Sequence, residues 1–198
     1  MYTKIIRTRK KEKSVEKSNL RLTFLSRFSC AKDADIESFL HNKAVNFEKL
    51  SKSRTYLIMD EDDLTEGKEH PAIYGYVALA LKILSVPDNA SNRLRKELDG
   101  LSAKIHGQQI SDYPCYLIGQ LSKNSAIENN PISGKDLLNV AFDVIASAVE
   151  AVGGRYIMIE CHDEEKLLKF YHDNLFQEID RIPDEGTPMV QMIKKFTV

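Results

Sequence analysis

Hydrophobic positions recur along the chain with two periods, and the switches between them outline the fold. Leu20, Leu22, Phe24 and Phe28 keep a period of two, which predicts a half-buried strand over Leu20–Phe28. Ile36, Phe39, Leu40, Ala44 and Phe47 then follow at helical spacing, one apolar stripe with Asp33 placed as N-cap. Thr55–Met59 predicts a strand, Asp60–Glu69 an acidic hairpin-like loop, and Ala72–Leu84 a long apolar strand. Gly75 inside that strand marks a bulge or a close backbone approach. Leu94, Leu98, Leu101 and Ile105 predict an amphipathic helix within Pro87–Gly107, with Gly107 as its stop. Tyr113–Leu121 is nearly continuously apolar and predicts a strand buried on both faces. Ser133–Val152 carries the strongest helical signal, with Leu137, Leu138, Ala141, Val144, Ile145, Ala148 and Val152 on one face and Gly153 and Gly154 ending it. A short strand (Tyr156–Ile159), a short helix (Asp163–Asp173, with Leu167, Leu168 and Tyr171 inward) and two final strands (Phe176–Arg181 and Met189–Phe196) complete the series.

This order predicts a mixed α/β (α+β) domain with one central sheet and helices on its faces. The chain has 198 residues, which suits one domain over 20–198 preceded by a basic tail over 1–19. In the tail Lys4, Arg7, Arg9, Lys10, Lys11, Lys13 and Lys17 outnumber Glu12 and Glu16, which reads as a solvated arm or as one that touches RNA. The net charge of -1 excludes a globally basic nucleic-acid binder but not a local patch. Cys30, Cys115 and Cys161 are an odd, widely spaced set, against a disulfide framework or a zinc site. The five histidines lack ligand spacing, so no metal is expected. No signal peptide or membrane span is read from the pattern, and a soluble cytoplasmic protein is expected. Cys161 and His162 are adjacent on a strand and point to opposite faces, which argues against a thiol hydrolase.

Three segments carry a resemblance to the GNAT superfamily of acetyl-CoA-dependent N-acetyltransferases, covering roughly Leu20–Phe196. Phe28, Cys30, Ile36, Phe39, Leu40 and Ala44 make an F-x-C opening followed by an apolar-x-x-F-L-x-x-x-A helix. With the strand Arg54–Ile58 and the run Ile73–Leu79 after it, this resembles the branch that includes tRNA-acetylating toxins. The strand Tyr116–Asn124, the turn Asn129–Gly134 and the helix after it resemble the family's pantetheine strand and pyrophosphate turn. Phe170, Tyr171 and Phe176 resemble its F-Y-x-x-x-G-F element, with Leu175 where the family has glycine. The turn departs from the family pattern. Asn129 stands for Gln or Arg, the middle glycine is either replaced by Ile132 or missing, only Gly134 matches well, and Pro131 removes an N–H donor.

The resemblance implies a GNAT-like fold, a mostly antiparallel sheet of about six to seven strands flanked by helices. It implies acetyl-CoA as co-substrate, held by Leu121, Ser122, Lys123, Asn129, Ile132, Ser133, Gly134, Lys135, Asp136 and Phe170. A helix N-terminus suits a pyrophosphate because its donors are unpaired and its dipole end is positive. Tyr171 falls where the family uses a general acid for the departing thiolate. Glu160 and His162 are the nearest candidates for a base, although some family members have none. The acceptor is a primary amine on a small molecule or a protein, or the amino group of an aminoacyl-tRNA. The opening motif and basic tail favour tRNA, and the net charge weighs against it. A homodimer is left open. The alternative is a catalytically degenerate GNAT fold serving as a binding or interaction module.

Overall fold

The computed structural model describes residues 6–7, 24–60, 62–63, 66, 71–86, 91–99, 104–105, 108–109, 111–183 and 188–196. Its strands are β1 (Ile6–Arg7), β2 (Arg54–Met59), β3 (Ile73–Ser85), β4 (Lys104–Ile105), β5 (Gln108–Gln109), β6 (Asp112–Lys123), β7 (Tyr156–His162), β8 (Gln177–Ile182) and β9 (Met189–Lys195). The helices are α1 (Ala34–Ser38), α2 (Ala44–Lys49), α3 (Asn92–Asp99), α4 (Gly134–Val152) and α5 (Glu165–Asp173), with a π-helical turn over Phe39–Lys43 between α1 and α2. This is a mixed α+β fold with a mostly antiparallel sheet flanked by helices.

The chain forms two compact units, one from residues 1–80 and 118–147, the other from 81–117 and 148–198. Strands β3 and β6 contribute to both. In the first unit the strand order is β1-β2-β3-β6, and β2 pairs antiparallel with both β1 and β3. Its core gathers Leu25, Phe28, Cys30, Phe39, Leu40, Ala44, Leu57, Met59, Ile73, Tyr76 and Ala78. A second cluster joins Ile58 and Val77 to Ile132, Leu137 and Val140, which seats the start of α4 on the sheet. In the second unit the order is β3-β6-β7-β9-β8, with β9 antiparallel to both β7 and β8. Leu84, Val86, Leu98, Cys115, Tyr156, Met158 and Ile193 form its core.

Gly75 meets both expectations placed on it. The β2–β3 register shifts between Ile58 and Met59, where Ile58 faces Gly75 and Met59 faces Ile73, so the bulge sits at this glycine. A Cβ there would lie 2.8 Å from the Ser122 carbonyl oxygen and 3.0 Å from both Ile132 and Leu137 side chains. Asp33 caps α1 as expected, accepting from the Asp35 and Ile36 N–H groups. All three cysteines are free and buried.

Four readings are corrected. The predicted first strand does not extend through Phe28, because Phe24 and Leu25 are helical and Phe28 N–H closes a turn onto Leu25 C=O. Leu25 and Phe28 are the buried pair, three apart and so on one face of a turn, while residues 20–23 lie outside the described residues. The helix predicted within Pro87–Gly107 ends at Asp99, before Gly100, and Ile105 pairs with Gln108 in a small hairpin. Strand β6 is not buried on both faces, since only Cys115 and Ile118 in it are fully buried. Val152 leaves the apolar face of α4 and stands exposed in its last turn.

Candidate functional site

The strand end, turn and helix start singled out in the sequence all fall in the first unit. Asn124, directly after β6, is its anchor. The side chain is buried and its Oδ1 accepts from Ser29 N–H (3.0 Å) and Ala126 N–H (3.0 Å), while Nδ2 donates to Ile73 C=O (2.8 Å). Its own N–H donates to Tyr74 C=O at 2.8 Å. One residue therefore ties β6, the bulged start of β3 and the F-x-C segment together. Sequence reasoning gave it no role. The available signal was an Asn leaving a strand into a Ser-Ala turn, where it bonds the backbone two residues on.

The F-x-C segment is also held from its helix. Glu37 accepts from Cys30 N–H (2.7 Å) and from Ser29 Oγ (3.0 Å), and these bonds hold its carboxyl below the ordinary carboxylate range. Ser122 Oγ lies 3.3 Å from Cys30 Sγ.

In the turn, Asn129 adopts φ +53, a left-handed conformation that Asn tolerates better than most residues. Asn130 Nδ2 donates to Tyr74 C=O (2.8 Å), beside the Asn124 N–H, and to Asn124 C=O (3.1 Å), and its Oδ1 accepts from Ile132 N–H (3.2 Å). The Ile132 side chain is core, packed with Leu137 and Val140, and Leu121 packs on the same cluster. Their side chains are thus committed inward, and only the backbone of either is placed to meet a ligand.

Ser133 and Asp136 form a capping box at the start of α4. Asp136 Oδ2 accepts from Ser133 N–H and Ser133 Oγ, each at 2.7 Å, and Asp136 N–H donates back to Ser133 Oγ at 3.2 Å. These bonds, with the charge of Lys123, hold the Asp136 carboxyl below its ordinary value. The N–H groups of Gly134 and Lys135 keep no acceptor among the described residues. This helix start thus offers two backbone donors and the cations Lys123 and Lys135, and it already carries one internal anion.

Tyr171 belongs to the second unit, in the last turn of α5. Phe176 N–H bonds Tyr171 C=O (3.0 Å) and Leu175 N–H bonds His172 C=O (2.9 Å), the two bonds of a Schellman helix end. Leu175 occupies the left-handed position at φ +68, the conformation that favours glycine. This explains physically why the resembling motif carries glycine there. The motif's apolar contact is also present, because the Tyr171 and Phe176 rings meet edge-on at 5.6 Å, with Phe170 at 5.1 Å from Tyr171. Tyr171 is buried, and its hydroxyl has no hydrogen-bond partner among the described residues. Burial, then the neighbouring Cys161, pushes the phenol above its ordinary range and keeps it protonated.

The other candidates are engaged in structural bonds or inert. Glu160 pairs with Lys82, whose Nζ lies 2.5 and 2.6 Å from its two oxygens, and accepts from Gln191 Nε2 at 3.0 Å. Burial pushes the Cys161 thiol up to about 11, so it is no thiolate nucleophile. Among the described residues no cluster of His, Cys, Asp and Glu could hold a metal ion, and no helix is long and apolar enough to cross a membrane.

No protein-family profile matches the sequence, and no curated protein matches it significantly. Solved structures do match. AtaT complexed with acetyl-methionyl-tRNAfMet aligns with a TM-score of 0.59 at 19% identity, over 84% of this chain and 85% of that one. A mutant of KacT aligns with a TM-score of 0.59 at 18% identity, over 84% and 85%. A mutant of the AtaT toxin bound to the C-terminus of the antitoxin AtaR and acetyl-CoA aligns with 0.56 at 19% identity, over 86% and 84%. The chain therefore has the fold of the AtaT and KacT structures, the GNAT fold that its sequence motifs imply.

Proposed function

We propose that the protein is an acetyl-CoA-dependent N-acetyltransferase in which residues 20–198 work as one catalytic domain. The carrying observation is the fold, shared over more than four fifths of the chain with structures that hold acetyl-CoA or an acetylated aminoacyl-tRNA. In this reading the backbone of Leu121, Ser122 and Lys123 meets the pantetheine arm, and Phe170 is a further coenzyme contact. The pyrophosphate takes the Gly134 and Lys135 N–H groups and the charges of Lys123 and Lys135. Asn129, Ile132, Ser133 and Asp136 shape this turn rather than donate to the ligand.

The acceptor amine attacks the thioester carbonyl, the C–S bond breaks, and the departing sulfur takes the Tyr171 phenol proton. The proton lost by the amine goes to solvent, and the phenolate is reprotonated from solvent. Tyr171 suits this role because its hydroxyl has no partner among the described residues and stays protonated at neutral pH. A raised pKa also makes it a weaker acid, so transfer requires a thiolate desolvated in the same way. The acceptor we favour is the amino group of an aminoacyl-tRNA, on the strength of the AtaT complex and the basic residues of the first 19 positions.

The test is a calorimetric titration with acetyl-CoA followed by turnover of Tyr171→Phe. Micromolar binding is expected, about -8 kcal/mol. The variant should lose about 100-fold or more in turnover with coenzyme affinity unchanged. A second reading, a binding module without chemistry, draws on the Asp136 carboxylate already seated at the helix start. It wins if acetyl-CoA does not bind at millimolar concentration.

A further inference from the structure

The turn that leads into α4 lacks the middle glycine of the resembling pattern, yet it is fixed in one shape. Asn129 is left-handed, at φ +53. Pro131 has its own φ locked at about -65° by its ring. Between them, Asn130 makes three bonds with one amide. Its Nδ2 donates to Tyr74 C=O (2.8 Å) and to Asn124 C=O (3.1 Å), and its Oδ1 accepts from Ile132 N–H (3.2 Å). The last bond closes an Asx turn over the proline.

The carbonyls that receive these amides are set by the bulge in β3. Its register with β2 skips Tyr74, since Ile58 faces Gly75 and Met59 faces Ile73. In a regular strand the carbonyls of neighbouring residues point to opposite sides. Here Ile73 C=O and Tyr74 C=O both meet amides of the segment after β6. Ile73 C=O takes Asn124 Nδ2 (2.8 Å), and Tyr74 C=O takes both Asn124 N–H (2.8 Å) and Asn130 Nδ2. The extra residue of the bulge thus anchors the end of β6 and the turn together. The backbones are tight at this point, because a Cβ on Gly75 would lie 2.8 Å from the Ser122 carbonyl oxygen.

We propose that Asn130 is a positioning residue for the coenzyme, fixing the pyrophosphate turn over residues 129–134 at a set distance from the pantetheine strand Leu121–Lys123. The inference rests on the acetyltransferase reading and adds to it a residue that acts through the turn. Only an amide on a short stem serves here. Asn offers two donors and an acceptor in one plane, whereas Asp has no donor, Ser has one, and Gln adds a methylene. The same bonds decide which donors remain for a phosphate. Asn130 takes the Ile132 N–H, Pro131 has none, and Asp136 takes that of Ser133, which leaves those of Gly134 and Lys135. A turn already held in shape spares the ligand the entropy of ordering it.

The test is calorimetric titration of the full chain and of Asn130→Ala with acetyl-CoA and with the phosphate-free S-acetylpantetheine. Asn130→Ala should weaken acetyl-CoA roughly tenfold or more and S-acetylpantetheine by less than about threefold, because only acetyl-CoA uses the turn. A loss of stability alone would lower both affinities together. Amide hydrogen exchange gives a second readout, in which the Ile132 N–H should exchange roughly tenfold faster or more in the variant. Asn130→Ser keeps one donor and one acceptor, should fall between the two in acetyl-CoA affinity, and serves if the alanine variant does not fold. If wild type binds acetyl-CoA and the folded variant binds it as tightly, or loses both ligands alike, Asn130 is not a positioning residue and the acetyltransferase reading stands. If wild type binds no acetyl-CoA at millimolar concentration, that reading falls and this inference falls with it.

Discussion

Replacing Asp136 by Asn isolates the most unusual feature of the candidate coenzyme site. Asp136 Oδ2 takes the Ser133 N–H and hydroxyl at 2.7 Å each, so an internal carboxylate sits where an incoming phosphate would gain most. Two unit charges about 5 Å apart repel by about 0.8 kcal/mol in bulk water and about 3 kcal/mol at an effective dielectric near 20. Asp136 is exposed, so the lower end applies, about 1 kcal/mol after solvent screening. That converts to an affinity gain for acetyl-CoA of about fivefold. Asn keeps an oxygen for the Ser133 N–H and loses only the charge–dipole part of the cap, about 0.5 kcal/mol of stability. The assay is calorimetric titration of wild type and variant with acetyl-CoA and, as a control, S-acetylpantetheine, which lacks the phosphates. Only acetyl-CoA should gain. An equal gain for both ligands, or none for acetyl-CoA, refutes the idea that Asp136 competes with a phosphate. The sign of the pH effect on the cap follows from the same bonds. The Asp136 pKa is depressed in the folded chain, so its contribution to stability is complete above about pH 5 and is lost as pH falls below about 4.

Other expectations concern the frame that holds the site. Asn124→Ala strands the Ser29 N–H and the Ile73 C=O and should cost about 2–4 kcal/mol, read by chemical denaturation; a cost below about 1 kcal/mol would show that water replaces the side chain. Gly75→Ala pushes a methyl group within 2.8 Å of the Ser122 carbonyl and should cost about 1–3 kcal/mol, read the same way, whereas an unchanged midpoint would mean the bulge can relax. Leu175→Gly relieves a left-handed residue whose side chain is exposed and should raise stability by up to about 1 kcal/mol, visible as a higher Tm. A fall in Tm would mean that the Leu175 side chain contributes packing that outweighs its backbone strain.

Periodicity determined most of the elements by itself. The stripe from Ile36 to Phe47, the strand around Gly75 and the long helix after Ser133 carry enough repeats to be read without any partner. Capping was legible for the same local reason, since Asp33 and Ser133 bond donors within three residues of themselves. The F-Y-x-x-x-G-F likeness also pointed at a helix end, and Leu175 in place of glycine is the one residue there that sequence alone could not explain. Short segments misled where local pattern had no repeat to confirm it. Phe24 and Phe28 suit a strand as well as a turn, and Ile105 continues a helical spacing although the helix itself ends at Asp99.

Tertiary structure decided what the side chains are for. Asn124 looks like an ordinary polar residue after a strand, and only the packing brings Ser29 and Ile73, which lie 95 and 51 residues away in sequence, to its amide. Ile132 matched a ligand-binding position in the motif, yet its side chain lies in the core with Leu137 and Val140. Lys82 and Glu160, 78 residues apart, are joined only because their strands share a sheet. Likewise the sequence reads Ala72–Leu84 as one long apolar strand, and only the point where the β2 ladder ends, at Leu79, separates its covered part from the exposed Leu81 and Ile83. The physical reason is common to all four. Local pattern fixes which face of an element is apolar, whereas the identity of a hydrogen-bond or packing partner depends on the register between distant segments, which no local period encodes.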